Sequence, residues 1–206
     1  GIMFKLFYSF FVSSLFALDL IISLSRYDLV VVITRSDVLG GAQKYLLSIL
    51  PRLISTHRVL VVVGASSSDA DFLQSLDSLG VCVYVSKYAC REFSILRDLA
   101  FFIELFLIFF FSRSKAVWLH SSKAGLLGRI AGALTFKSVL FTVHGWSFAS
   151  CKPYSVSFQF YRFIESFASW FTTKFIIICM HDYRVATNSL NIPSHKLSLI
   201  YNSVPA

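Results

Sequence analysis

The sequence predicts one α/β domain built on a doubly wound parallel sheet. Three observations predict it. Short β-branched runs alternate with stretches of helical apolar spacing along nearly the whole chain. The connections between them are short, which makes each strand–helix–strand unit a right-handed crossover. No internal repeat or low-complexity linker divides the 206 residues, which suffice for one sizeable core.

The elements follow in order. Leu29–Thr34 is a β-branched run ending at polar residues, the signature of a buried parallel strand. A glycine turn leads to a helix over Ala42–Ile54, with apolar residues at Tyr45, Leu46, Ile49, Leu50 and Leu53. Val59–Val63 is the second strand, closed by Gly64. Asp69–Leu79 is a helix stopped by Gly80, a residue suited to the left-handed position after a helix end. Val81–Val85 is the third strand, and Phe93–Phe111 a long helix. Ala116–His120 is the fourth strand, with Gly125–Leu134 in the helix behind it. Val139–Val143, Tyr154–Phe171, Phe175–Cys179 and Asp182–Leu190 continue the alternation, and Leu197–Ile200 is a last strand.

Composition narrows the class of protein. Apolar residues make up 56% and charged residues 15%, against roughly 25% charged in ordinary soluble domains. With 22 phenylalanines, such a chain must bury more than an average domain does, against a partner domain, a membrane, or both. A net charge of +8 suits an anionic membrane surface or phosphate-bearing substrates. The absence of a dense Lys/Arg run argues against nucleic acid. Cys82, Cys90, Cys151 and Cys179 form no C-x-x-C and no zinc-like spacing with histidine, and read as reduced thiols of a cytoplasmic protein. Neither a metal nor another cofactor is expected.

Residues 1–26 form an apolar N-terminal segment ahead of the domain at 27–206. Its uncharged part, Leu6–Leu18, is shorter than the about 20 residues a spanning helix needs, which leaves a marginal span, an interfacial helix or a signal peptide. The apolar segment at 93–111 carries Arg97 and Glu104, which count against a plain span. With Arg91, Arg97, Arg113 and Lys115 around it, this segment is expected to lie on an anionic membrane surface or to pack on another domain or on the N-terminal segment.

In an open parallel sheet, ligands bind beyond the carboxyl ends of the strands. Four such places carry candidate chemistry. After the first strand, Gly40-Gly41 lets backbone N–H groups approach a ligand at a helix start, or simply makes a tight turn. After the fourth, Ser121, Ser122 and Lys123 place hydroxyls and an ammonium in a first helical turn, suited to phosphate or sugar hydroxyls, or to plain capping. Gly128 and Gly132 behind them point to close packing of this helix on the sheet. After the fifth strand, His144 can donate to a sugar hydroxyl or phosphate, and Trp146 can supply an apolar platform. After the sixth, His181 and Asp182 share the same rim, more in keeping with a structural role.

The same places carry a family resemblance. Ile33-Thr-Arg-Ser-Asp37 with Gly40-Gly41-Ala42-Gln43, His120-Ser-Ser-Lys-Ala-Gly-Leu-Leu-Gly-Arg129-Ile-Ala131, Phe141-Thr-Val-His-Gly-Trp146 and Ile200-Tyr-Asn-Ser-Val204 occur in family order. The chain, over roughly residues 29–204, resembles the N-terminal domain of family 4 glycosyltransferases, retaining enzymes of GT-B fold that build surface polysaccharides and glycolipids. The resemblance implies a Rossmann-like domain. It also implies transfer of a sugar from a nucleotide diphosphate sugar to a lipid-linked or glycan acceptor, on the cytoplasmic face of a membrane. In its terms Gly40 and Gly41 lie near donor phosphates and acceptor, and His144 faces the transferred sugar as the catalytic residue. Ser121, Ser122 and Lys123 rim the acceptor pocket. Met180-His181 stands where the family has Ser-Glu, and Asn202-Ser203 where it has Asn-Gly before the interdomain hinge. The donor domain would follow that hinge, in the same polypeptide or on a partner chain, so this chain alone is expected to be inactive. The rival readings are a non-catalytic fragment or split-enzyme subunit, an unrelated nucleotide-binding α/β protein lacking G-x-G-x-x-G, and a membrane protein spanning at 2–24 and 93–111.

Overall fold

The computed structural model describes residues 22–34, 39–65, 70–90 and 93–201. Most of the apolar N-terminal segment, Arg35–Asp37, Arg91 and the expected hinge at Asn202–Val204 lie outside the described residues. Among those described, seven parallel strands form one sheet: β1 Leu29–Ile33, β2 Val59–Gly64, β3 Cys82–Ser86, β4 Ala116–His120, β5 Ser138–Val143, β6 Lys174–Ile177 and β7 Leu197–Leu199. Their order is β3-β2-β1-β4-β5-β6-β7. The helices are α1 Gly41–Ile54, α2 Ala70–Ser78, α3 Ile95–Phe111, α4 Ser122–Leu134, α5 Val156–Ser169 and α6 Met180–Asn188, with a 3-10 turn at Ser194–Lys196. This is the doubly wound, Rossmann-like α/β fold that the alternation predicts. Element ends differ from expectation by a few residues, where helices fray.

The strand order reverses direction between β1 and β4. Alternate residues of the central strands face opposite sides and build two cores. Val31, Ile33, Val61 and Val63 meet Leu46 and Leu50 of α1 and Phe72 and Leu76 of α2. Val30, Val32, Leu60 and Val62 share the other core with Phe101, Leu105 and Phe109 of α3 and Ala124 and Ala131 of α4.

Helix α4 lies close to the sheet because its inner side is glycine. A Cβ at Gly132 would sit 2.7 Å from Val139 Cγ2, and one at Gly128 2.6 Å from Leu119 Cδ2. At the end of α2, Gly80 takes φ +69°, and Val81 N–H reaches back to Leu76 O at 3.2 Å. That is the glycine stop read from the sequence.

Helix α3 is not a membrane span. Glu104 is 3% exposed and accepts from Tyr84 Oη at 2.9 Å and from Ser86 Oγ. Burial pushes its carboxyl pKa up, which the two hydroxyl donors oppose. No helix among the described residues is long and apolar enough to cross a membrane.

Candidate functional site

The strand reversal leaves a crevice between the carboxyl ends of β1 and β4. A cleft of about 550 Å³ occupies it, lined by the ends of β1, β4 and β5 and by the first residues of α1 and α4. Two helix N-termini therefore open onto one space. Their first N–H groups have no intrahelical acceptor and carry the positive end of the helix dipole.

Gly40 and Gly41 line this cleft at the start of α1. Neither has positive φ, and a Cβ on Gly41 would meet no protein atom within 4 Å. The backbone turn itself does not demand glycine at position 41. Its bareness leaves the helix end open from the cleft side.

On the other wall, Ser121, Ser122 and Lys123 also line the cleft. Ser121 does not cap α4. It sits at φ +81°, ψ 152°, and its hydroxyl bonds Thr34 Oγ1 at 2.7 Å, pinning the end of β4 to the end of β1. Such a conformation is costly for a residue with a side chain. The Lys123 ammonium bonds Asp98 Oδ1 of α3 at 2.7 Å, so the pocket rim is held by an ion pair rather than presenting a loose cation.

His144 lies half-buried just past β5 and lines the cleft. Its Nε2 stands 3.1 Å from Nδ1 of His120, which ends β4 and is wholly buried. The ring of Tyr45 from α1 packs edge-on against His144, with centroids 5.5 Å apart. Burial lowers the His144 pKa to about 4. Burial first, and then the charge of His144, holds His120 well below the ordinary imidazole range. Near neutral pH both rings are therefore uncharged. The pair shares one hydrogen, and the other nitrogen of His144 has no protein partner among the described residues.

Gly145 turns the chain at φ +101°, a conformation that favours glycine, and sends Trp146 away from the cleft. Trp146 is 4% exposed, stacks on Phe148, and donates Nε1–H to Asp182 O at 3.1 Å. It is absent from the cleft lining because its ring fills the core beside Phe175. Of the residues read as site candidates from the sequence, Gly40, Gly41, Ser121, Ser122, Lys123 and His144 converge; Trp146 does not join them. Asp182 is buried and accepts from Cys179 Sγ at 3.2 Å, while His181 is exposed.

His120, Tyr45 and Thr34 did not stand out among the candidates. The signal for His120 and Thr34 was positional, as both sit at the carboxyl end of a strand flanking the reversal. Beneath them, Arg129 is wholly buried. Its Nε donates to Gly125 O at 2.7 Å, its Nη2 to Glu165 Oε2 at 2.7 Å, and its guanidinium lies 4.5 Å from the Phe141 ring centroid. Glu165 in turn accepts from Ser147 Oγ at 2.9 Å. One ion pair thus ties the first turn of α4 to the segment that follows His144.

Comparison with known proteins agrees with this architecture. The family model for Glycosyltransferase Family 4 matches residues 39–206. Over 118 residues the chain is 37% identical to the Escherichia coli UDP-Gal:alpha-D-GlcNAc-diphosphoundecaprenol alpha-1,3-galactosyltransferase, covering 56% of this chain and 30% of that protein. Anabaena HepE, solved with UDP and glucose, superposes with a TM-score of 0.65 at 18% identity, over 85% of this chain and 44% of HepE. A Rickettsia africae glycosyltransferase gives 0.64 at 15% identity, over 87% of this chain and 44% of its own. The chain thus spans less than half the length of these relatives, and its sheet has the fold of a GT-B N-terminal half. On its match over most of its length, the chain belongs to glycosyltransferase family 4.

Proposed function

We propose that residues 27–206 are the acceptor-side domain of a retaining glycosyltransferase. It transfers a sugar from a nucleoside diphosphate sugar to a lipid-linked or glycan acceptor at the cytoplasmic face of a membrane. The observation that carries this reading is the convergence of two helix N-termini and the neutral His144 on one cleft at the strand reversal. An anionic diphosphate is favoured where helix N-termini present backbone N–H groups and positive dipole ends to one space. A neutral imidazole beside it offers one hydrogen bond to a sugar hydroxyl without competing for the charge. The name of the E. coli relative specifies a nucleotide sugar donor and a lipid diphosphate acceptor, which fits this chemistry.

In this reading the chain's own groups work by orientation and by stabilising the departing diphosphate. Gly41 leaves room for the ligand to reach the N–H groups of α1. The Ser121–Thr34 bridge and the Lys123–Asp98 pair fix the opposite wall. A second domain, continuous with this one or on a partner chain, closes the cleft and holds the nucleotide.

The test is an assay of diphosphate release from a panel of nucleoside diphosphate sugars, with polyprenyl diphosphate sugars as acceptors. It uses the longest polypeptide that contains this sequence. Acceptor-dependent release is expected there. The 206-residue chain by itself is expected to turn over nothing and to bind no nucleotide sugar tightly by calorimetry. Tight binding by that chain alone would remove the need for a second domain. Absence of acceptor-dependent release from the longer protein and from mixtures with candidate donor-domain chains would refute the reading.

A further inference from the structure

A second surface lies outside the cleft. Helix α3 buries Phe101, Leu105, Ile108 and Phe109, yet its outer side is apolar as well. Leu96, Leu99, Ile103 and Phe110 are 48–81% exposed there. Helix α5 repeats the arrangement. Glu165, Ala168 and Ser169 face inward, while Val156, Phe160, Phe163 and Phe167 form a stripe on the opposite side that runs on to Trp170. These five recur every three or four residues, the spacing of a single helical face. Trp170 is 83% exposed, whereas Trp118 and Trp146 are buried. Helix α4 packs against both neighbours and lies between them, and Phe136 just past its end is 96% exposed.

The charges on this layer are sorted. From Phe93 to Thr173 the acidic residues are Asp98, Glu104 and Glu165, and all three are buried. Asp98 pairs with Lys123, Glu104 accepts from Tyr84 and Ser86, and Glu165 pairs with Arg129. Over the same stretch Arg97, Arg113, Lys115, Lys152 and Arg162 are exposed. The outer surface is therefore aromatic and cationic, with no exposed carboxylate among its described residues. A protein seam ordinarily mixes charges of both signs around its apolar centre. Aromatic stripes with only cations around them complement a surface that is negative outside and apolar beneath. Tryptophan beside that boundary fits as well.

We infer that the outer faces of α3 and α5 together form a docking surface for an anionic lipid bilayer, lying on it without crossing. This names the membrane partner of the proposed transferase and rests on that reading only for its biological purpose. Helix α3 follows the carboxyl end of β3, and α5 follows that of β5. Lys123 of the cleft wall is bonded to Asp98 in the first turn of α3. The apolar stripe of α3 thus begins beside the cleft wall, on the side from which a lipid-anchored acceptor would enter.

The test is co-sedimentation with phosphatidylglycerol-containing and pure phosphatidylcholine vesicles, alongside Trp fluorescence. The intact chain should bind the anionic vesicles, lose binding as salt rises, and show a blue shift that Trp170→Phe removes. Phe160→Glu with Phe163→Glu should weaken partitioning by more than about tenfold. Arg162→Glu should weaken it less, and Arg52→Glu, on α1 across the sheet, should leave it unchanged. Thermal melts check that these exposed substitutions leave the fold intact. Equal binding by the double α5 variant would assign docking to another segment, residues 1–21 included, and overturn the inference. So would a lipid-independent dimer that the same variant dissolves. Because vesicle binding needs no turnover, failure of the transferase assay would leave this result standing.

Discussion

Nδ1 of His120 and Nε2 of His144 lie 3.1 Å apart, so the imidazole at the cleft is held by a second imidazole that solvent does not reach. Among the described residues no carboxylate pairs with either ring; the aromatic contacts are the other ring, Tyr45 and, for His120, Trp118. The pair stays neutral because burial disfavours the charged form.

His144→Ala in the complete enzyme should lower turnover by about 10²–10³, the usual loss when one positioned polar group at a reacting centre is removed. Its melting temperature should change little, since the ring is half-buried. Steady-state kinetics with a melting curve decides, and near-normal turnover would mean that His144 serves the fold alone.

The histidine pair also sets a pH dependence of stability. The folded pKa of His144 is about 4, below the about 6.5 of an unfolded histidine. The unfolded chain therefore binds more protons between these values, and stability falls as pH drops through that window. Above about pH 6.5 this contribution is constant. Urea midpoints measured across that window should fall with acid, and more shallowly for His144→Gln. An identical slope in the variant would assign the effect to other groups.

Gly41 and Gly64 should respond oppositely to alanine. A Cβ on Gly41 meets nothing, so Gly41→Ala should leave stability unchanged or slightly raised while lowering activity if a ligand approaches that helix end. A Cβ on Gly64 would overlap the carbonyl oxygens of Ala89 and Thr34, with no flexible side chain to yield. Gly64→Ala should cost about 1–3 kcal/mol or more by chemical denaturation. Full activity in Gly41→Ala would place the diphosphate elsewhere.

The Arg129–Glu165 pair should be costly to break and cheaper to remove. Both side chains are almost fully buried, and Glu165→Ala strands a guanidinium in the core, which costs about 3–5 kcal/mol. Arg129→Met together with Glu165→Met should cost less than the two single changes summed. A double-mutant cycle showing simple additivity would mean the two charges do not depend on each other.

The sequence by itself determined the parallel sheet, its seven strands, and the places where ligand chemistry could sit. Those rest on local signals: β-branched runs, helical apolar spacing, and glycine or serine at strand ends. Gly80 shows how far such signals reach, since a left-handed stop after a helix is decided by its immediate neighbours. Only the tertiary structure decided what each polar residue meets. Ser121 looks like a helix cap in sequence, but β4 and β1 lie side by side and its hydroxyl turns to Thr34. Trp146 follows a cleft histidine, yet the positive φ of Gly145 swings it into the core. His120 gains its partner because β4 and β5 are neighbours in register, although 24 residues separate it from His144 along the chain. Glu104 and Glu165 are turned inward to buried partners, and this leaves the outer faces of α3 and α5 apolar and cationic. The physical reason is common to all of these. Periodicity follows from the backbone geometry of neighbouring residues, whereas a hydrogen bond or ion pair across the sheet depends on which strands and helices the fold brings together.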